Sequence, residues 1–274
     1  MEDGIMPKNM PTPPWDAAIP VMSENVALIV GVILAIGTLF YAAAEVRRRG
    51  DLVPLYVVIG SLIGCIYEPM ADWLVLTIWP EEHQYTYMEI LGRKMPLLNF
   101  FAYFYYYAPF TLWFLRKIEA GIDRTQWWRT VLVVWLGCLL FDGIFIHSGL
   151  VIYYGPHPLL LLGVPVWAVT TYAATQFGMV AAVYGVMKGL PRRAHGIVVV
   201  LTIPLMDAAV THGLTLPGTI AMYSTDNPTL LAIAGVCAVA LSVLFVWMLA
   251  EFVCRPAVQL AGVVPSAAKR AFEN

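Results

Sequence analysis

Charge is what this sequence has least of. Asp, Glu, Lys and Arg together make up 12% of its 274 residues, against about 25% in an ordinary soluble domain. So few charges cannot coat a globule of this size. That excludes a soluble enzyme, a nucleic-acid binder and a disordered chain. The 60% hydrophobic content and mean hydropathy of +0.73 predict an integral membrane protein instead, with the lipid bilayer as its first partner and no nucleic acid. Cysteine is also sparse: Cys65, Cys138, Cys237 and Cys254 show no CxxC spacing, so neither a disulfide framework nor a zinc site is indicated. The short catalytic signatures are missing too. There is no GxSxG elbow, Walker loop or CxxCH motif. The five histidines are too few for a membrane di-iron enzyme, and no two stand at the helical spacing of a membrane zinc hydrolase. The nearest approach to an Asp-rich magnesium motif is Glu68-x3-Asp72. No metal and no cofactor are expected.

What the chain does have is long apolar runs. A helix that crosses a bilayer needs roughly 20 mostly apolar residues. Seven such stretches stand at about 25–46, 53–79, 97–115, 130–153, 163–187, 196–217 and 229–253. They predict an all-α, seven-transmembrane-helix bundle forming a single membrane domain over 1–274. Residues 1–24 would be an extracytoplasmic leader and 254–274 a cytoplasmic tail. The leader is Pro-rich (Pro7, Pro11, Pro13, Pro14) and lacks the basic start of a cleavable signal, so the first helix is expected to stay.

Basic residues orient the bundle. Arg47, Arg48, Arg49, Arg116, Lys117, Arg124, Arg129, Lys188, Arg192, Arg193, Arg255, Lys269 and Arg270 fall on one side, and only Lys8, Arg93 and Lys94 on the other. The positive-inside rule then puts the N-terminus outside and the C-terminus in the cytoplasm, in a plasma or inner membrane. Trp15, Trp79, Trp127 and Trp128 fall at span edges, where interfacial anchors belong. A rhodopsin-like reading fails because 229–253 contains no lysine to form a retinal Schiff base.

Four acids do not fit the topology. Glu68 and Asp72 lie in the second stretch, Asp142 in the fourth and Asp207 in the sixth. A carboxylate at the bilayer centre costs about 2.5–3.5 kcal/mol on insertion scales, so these must face the bundle interior. No Lys or Arg lies mid-span to neutralise them. His147 follows Asp142 by five residues, and His212 follows Asp207 by five. The six residues fall in one layer between mid-membrane and the outer leaflet. A five-residue step turns about 140° around an α-helix, so neither Asp–His pair need touch. A protonated carboxyl can also simply join helices. Pro69, Pro109 and Pro204 should free the carbonyls of Cys65, Tyr105 and Val200 near this layer.

The third stretch carries ten aromatics, among them Tyr103, Tyr106 and Tyr107, with Asn99 at its start. Trp167, Thr170, Thr171, Tyr172 and Gln176 follow in the fifth. Asn99, Tyr103, Tyr106, Tyr107, Trp167 and Tyr172 are the candidates for lining a substrate pocket. Ring faces stabilise positive charge, so an acidic, aromatic cavity can protonate an apolar substrate and hold the cation that results. The outer segment 80–96 reads as a solvated loop. The segment 147–167, which has no formal charge if His157 is neutral and is rich in Gly and Pro, reads as a cap over the outer mouth.

An acid in the preceding helix, a Tyr-Gly turn at Tyr154-Gly155, then Pro158-Leu, Gly163-Val-Pro165 and Trp167 resemble the membrane carotenoid hydratases and polytopic isoprenoid cyclases. This chain departs from them in having Asp142 where they have Glu. The resemblance implies cofactor-free cyclase, hydratase or isomerase chemistry on an isoprenoid or other lipophilic substrate. Glu68, Asp72, Asp142, Asp207, His147 and His212 would then be the catalytic candidates, with a carboxyl as general acid and a second carboxylate or a histidine taking the last proton. Intramembrane acids and histidines also serve proton- or ion-coupled transporters, and a non-catalytic subunit of a membrane lipid pathway stays open. The oligomeric state is not written in the sequence.

Overall fold

The computed structural model describes residues 11–254. The expectations for Pro7, Lys8, Arg255, Lys269, Arg270 and most of the tail lie outside the described residues. Among the described residues six helical segments are long and apolar enough to cross a bilayer: Val21–Arg49, Val53–Val75, Arg124–His147, Val166–Gly189, Arg192–Ser224 and Pro228–Val253. This is the pattern of a multi-pass membrane protein.

The first is the helix α1 (Val21–Arg49). The second is α2 (Val53–Gly64), a 3₁₀ turn (Cys65–Tyr67) and α3 (Glu68–Val75). The expected third helix is broken into α4 (Leu97–Tyr106) and α5 (Ala108–Glu119). Pro109 has no N–H to bond the Tyr105 carbonyl, so the helix yields at Tyr107, and neither half alone has crossing length. Then come α6 (Arg124–His147), α7 (Val166–Gly189) and α8 (Arg192–Met206). Asp207–Thr211 form a π turn that leads into α9 (His212–Ser224), and α10 (Pro228–Val253) closes the described chain. Helix α6 starts and ends six residues before its expected bounds. Asp123 caps it by accepting the Gln126 amide at 2.8 Å, and Gly149 leaves it with φ of +72°.

The chain is not wholly α-helical. Its interhelical segments form three two-stranded antiparallel ladders: β1 (Thr77–Ile78) with β4 (Ile152–Tyr153), β2 (Thr86–Ile90) with β3 (Arg93–Pro96), and β5 (Leu160–Leu161) with β6 (Val164–Pro165). Backbone groups near a membrane need partners, and pairing the caps with each other supplies them. The β2–β3 hairpin is therefore not simply a solvated loop. The Tyr85 amide donates to the buried Glu24 carboxylate at 2.9 Å. Arg93 is fully buried, its guanidinium 4.0 Å from the Trp73 ring and 4.8 Å from the Trp15 ring, donating to the Tyr154 hydroxyl at 2.6 Å. Two of the four tryptophans taken for anchors are interior: Trp127 is completely buried and Trp79 nearly so.

Helix α7 is the axis of the bundle and packs against α5, α6, α8 and α10. Its small residues Ala173, Ala174, Gly178 and Ala181 let those helices approach closely. Helices α2 and α8 meet at Gly60, where a Cβ would stand 2.7 Å from the Val200 carbonyl oxygen. Helix α6 lies at the periphery and buries few of its side chains.

Candidate functional site: an acidic cavity at three helix breaks

The second, third and sixth stretches are each irregular at one level. The 3₁₀ turn precedes Glu68, the α4–α5 break falls at Tyr107, and the π turn begins at Asp207. Irregular backbone at membrane depth is tolerated where it lines a cavity, and these three breaks do. Pro69 does not leave the Cys65 carbonyl free: the Glu68 amide bonds it through the 3₁₀ turn. The result starts α3 at Glu68 and sets Glu68 and Asp72 one turn apart on one face.

The cavity encloses about 120 Å3, room for several waters at about 10–15 Å3 each. All four acids line it, together with Asn99, Tyr103, Tyr106, Tyr107, Tyr172 and His212. Among the further lining residues are Tyr67, Thr77, Phe141, Phe145 and Tyr153, which the linear pattern does not single out, and Trp79, which it places as an interfacial anchor. Two candidates stand elsewhere. His147 is exposed and bonds the Gly143 carbonyl of its own helix through Nδ1 at 2.8 Å, because an undistorted α-helix turns it away from Asp142. Trp167 is completely buried in a separate cluster with Leu76, Ile78 and Met222, wedged against Gly218.

Each acid has its own hydroxyl donor. Tyr103 donates to Oε2 of Glu68 at 2.8 Å, and the Trp79 indole to Oε1 at 3.3 Å. Tyr107 and Thr211 both donate to Oδ1 of Asp207, at 2.8 and 3.2 Å. Tyr153 donates to Oδ2 of Asp142 at 2.7 Å, with the Tyr172 hydroxyl 3.4 Å behind it. Thr77 donates to Oδ1 of Asp72 at 2.7 Å, and Oδ2 of Asp72 is buried without a partner among the described residues. These patterns differ chemically. Glu68 has a donor on each oxygen, so both of its oxygens accept. Asp72, Asp142 and Asp207 each keep one oxygen without a described donor, where an acidic proton can sit.

Among the described residues no Lys or Arg lines the cavity, and no ion pair involves any of the four acids. Rings close the wall instead. Tyr106 and Tyr107 lie 4.8 Å apart, Tyr106 and Phe141 5.3 Å, Phe141 and Phe145 4.4 Å, and Trp79 and Phe145 5.8 Å. Gly64 makes room for this arrangement. A Cβ there would meet the Tyr103 ring at 3.0 Å and Oδ2 of Asp207 at 3.6 Å. Outside the membrane-spanning segments, His157 pins the cap. Its Nε2 lies 3.3 Å from the Leu76 carbonyl oxygen, and burial holds the imidazole down to about 4, so it is neutral at ordinary pH.

Among the described residues no three His, Cys, Asp or Glu side chains come together as a set of metal ligands. Comparison of the chain with protein-family models, with curated proteins and with solved structures finds no match.

Proposed function

We propose that the protein is a membrane-embedded acid–base enzyme, a cyclase, hydratase or isomerase, acting on an isoprenoid or another lipophilic substrate. The observation that carries this reading is the cavity itself: four carboxyls and an aromatic wall around one space, with no cation among the lining residues. Asp142 or Asp207 serves as general acid, through the oxygen that no described residue donates to. The proton goes to a carbon–carbon double bond of the substrate. The cation so formed lies over the rings of Tyr103, Tyr106, Tyr107 and Phe141, with the carboxylate left on the spent acid as counter-charge. Loss of a neighbouring proton gives a cyclised or isomerised alkene, and capture of water gives an alcohol.

The proposed topology is seven crossings with the N-terminus outside. The segment 97–119 is the seventh, crossing with its break at the level of the cavity. The arginine-rich helix ends lie on the cytoplasmic side and the three ladders on the other.

Mass spectrometry of lipids from membranes of cells expressing the protein tests the reading. Asp142→Asn and Asp207→Asn should each lose the product by about 100-fold or more while remaining folded and extractable. Product at wild-type level in both variants overturns it.

A further inference from the structure

The two Asp-x4-His sequences are chemically alike, and the backbone treats them differently. In α6, a regular α-helix, Asp142 faces the cavity and His147 does not. At Asp207 the π turn changes the geometry. A π turn is wound wider than an α-helix, so residues five apart come nearly to stack as residues four apart do in an α-helix. Asp207 and His212 therefore both line the cavity.

The histidines also differ in what they bond. His147, His157 and His195 each hold a backbone carbonyl, those of Gly143, Leu76 and Leu190. His83 is exposed in the turn that precedes the β2–β3 hairpin. His212 is half-buried, with both ring nitrogens buried, and neither nitrogen has a partner among the described residues. Buried ring nitrogens with no partner cost free energy unless something else uses them.

We infer that His212 is the proton acceptor of the reaction and that the π turn positions it beside Asp207, so that the two carry one proton around a closed cycle. The inference rests on the acid–base reading above. The Oδ2–H bond of Asp207 breaks as a C–H bond forms on the substrate alkene, leaving a carboxylate and a carbocation. A free nitrogen of neutral His212 then takes a proton from the adjacent carbon, and the C–H electron pair becomes the new double bond. The imidazolium returns that proton to the Asp207 carboxylate, which restores both groups with no oxidant, reductant or net proton change. The histidine on Asp142's own helix, His147, is exposed and bonded to the Gly143 carbonyl, so that helix supplies no such partner.

The test compares His212→Gln, His212→Ala and His147→Gln in the full-length protein in native membranes, reading product in lipid extracts with and without added imidazole. The expected result is a loss of about 100-fold to 10,000-fold in both His212 variants, partial recovery of His212→Ala on adding imidazole, and wild-type product from His147→Gln. A merely structural histidine is not restored by free imidazole. Product retained in His212→Gln, or a loss in His212→Ala that imidazole leaves untouched, overturns the inference. The failures are separable. If Asp142→Asn and Asp207→Asn are silent and His212→Gln is active, this inference alone falls. If both aspartate variants are active, the acid–base reading falls with it.

Discussion

Thr77 and Tyr153 are direct partners across the β1–β4 ladder, and each donates to a different carboxyl, Thr77 to Asp72 and Tyr153 to Asp142. Opposed residues in an antiparallel pair project to the same side. This one pairing therefore brings both hydroxyls down into the cavity from the cap. The ladder that covers the acids is thereby tied to two of them.

Removing either hydroxyl should have a distinct consequence. Thr77→Val leaves both oxygens of Asp72 without a described donor and should lower stability by about 1–3 kcal/mol, read as a drop in Tm in detergent. Tyr153→Phe leaves Asp142 open to the cavity. It should reduce product by roughly 10-fold to 100-fold with a smaller effect on Tm. Equal effects of the two substitutions on Tm, with product unchanged in both, would disprove the coupling of cap and acids.

Two glycines separate the cavity from its support. Gly64→Ala places a methyl 3.0 Å from the Tyr103 ring and 3.6 Å from Asp207, so it should displace the donor of Glu68 and cut turnover. Gly218→Ala places a methyl 2.6 Å from the Trp167 ring, away from the cavity, and should cost about 1–3 kcal/mol through overpacking. Thermal melts and product assays on the same membranes check both. The expectation fails if Gly64→Ala keeps full turnover or Gly218→Ala keeps full stability.

His157 makes the cap sensitive to acid. Its pKa falls from about 6.5 in an unfolded chain to about 4 in the fold, because burial favours the neutral ring. The unfolded state therefore binds the proton more readily between these values. Stability is full above about 6.5 and declines as the pH falls toward about 4, by on the order of 3 kcal/mol in all. His157→Gln should flatten that part of the curve of Tm against pH. Parallel curves for the variant and the wild type between pH 7 and 4.5 would exclude the effect.

Much of the bundle could be read from the chain, for a specific reason. Apolar runs of crossing length mark helices because lipid offers no other partner for backbone groups. The acids stood out because nothing about solubility or topology accounts for them, and all four do meet in one space. Tyr153, Thr77 and Trp79 were not legible, because they sit on short caps whose pairing joins residues 76 positions apart in sequence. Val151-Ile-Tyr-Tyr154, bounded by Gly149 and Gly155, was the one local sign of a strand there. Arg93 looked like a surface charge because a guanidinium gives no sequence sign that indoles from two other segments will enclose it.

The sequence by itself determined the solvent, the apolar stretches and the acids that must face inward, since each follows from the cost of putting polar groups in lipid. It also contained the Asp-x4-His pattern twice. It could not say that the two copies would be placed differently. Only the tertiary structure decided that, by winding Asp207–Thr211 as a π turn and leaving α6 regular. The physical reason is that a five-residue step points away from its start on an α-helix and back toward it across a π turn, and which of the two forms depends on the packing around it.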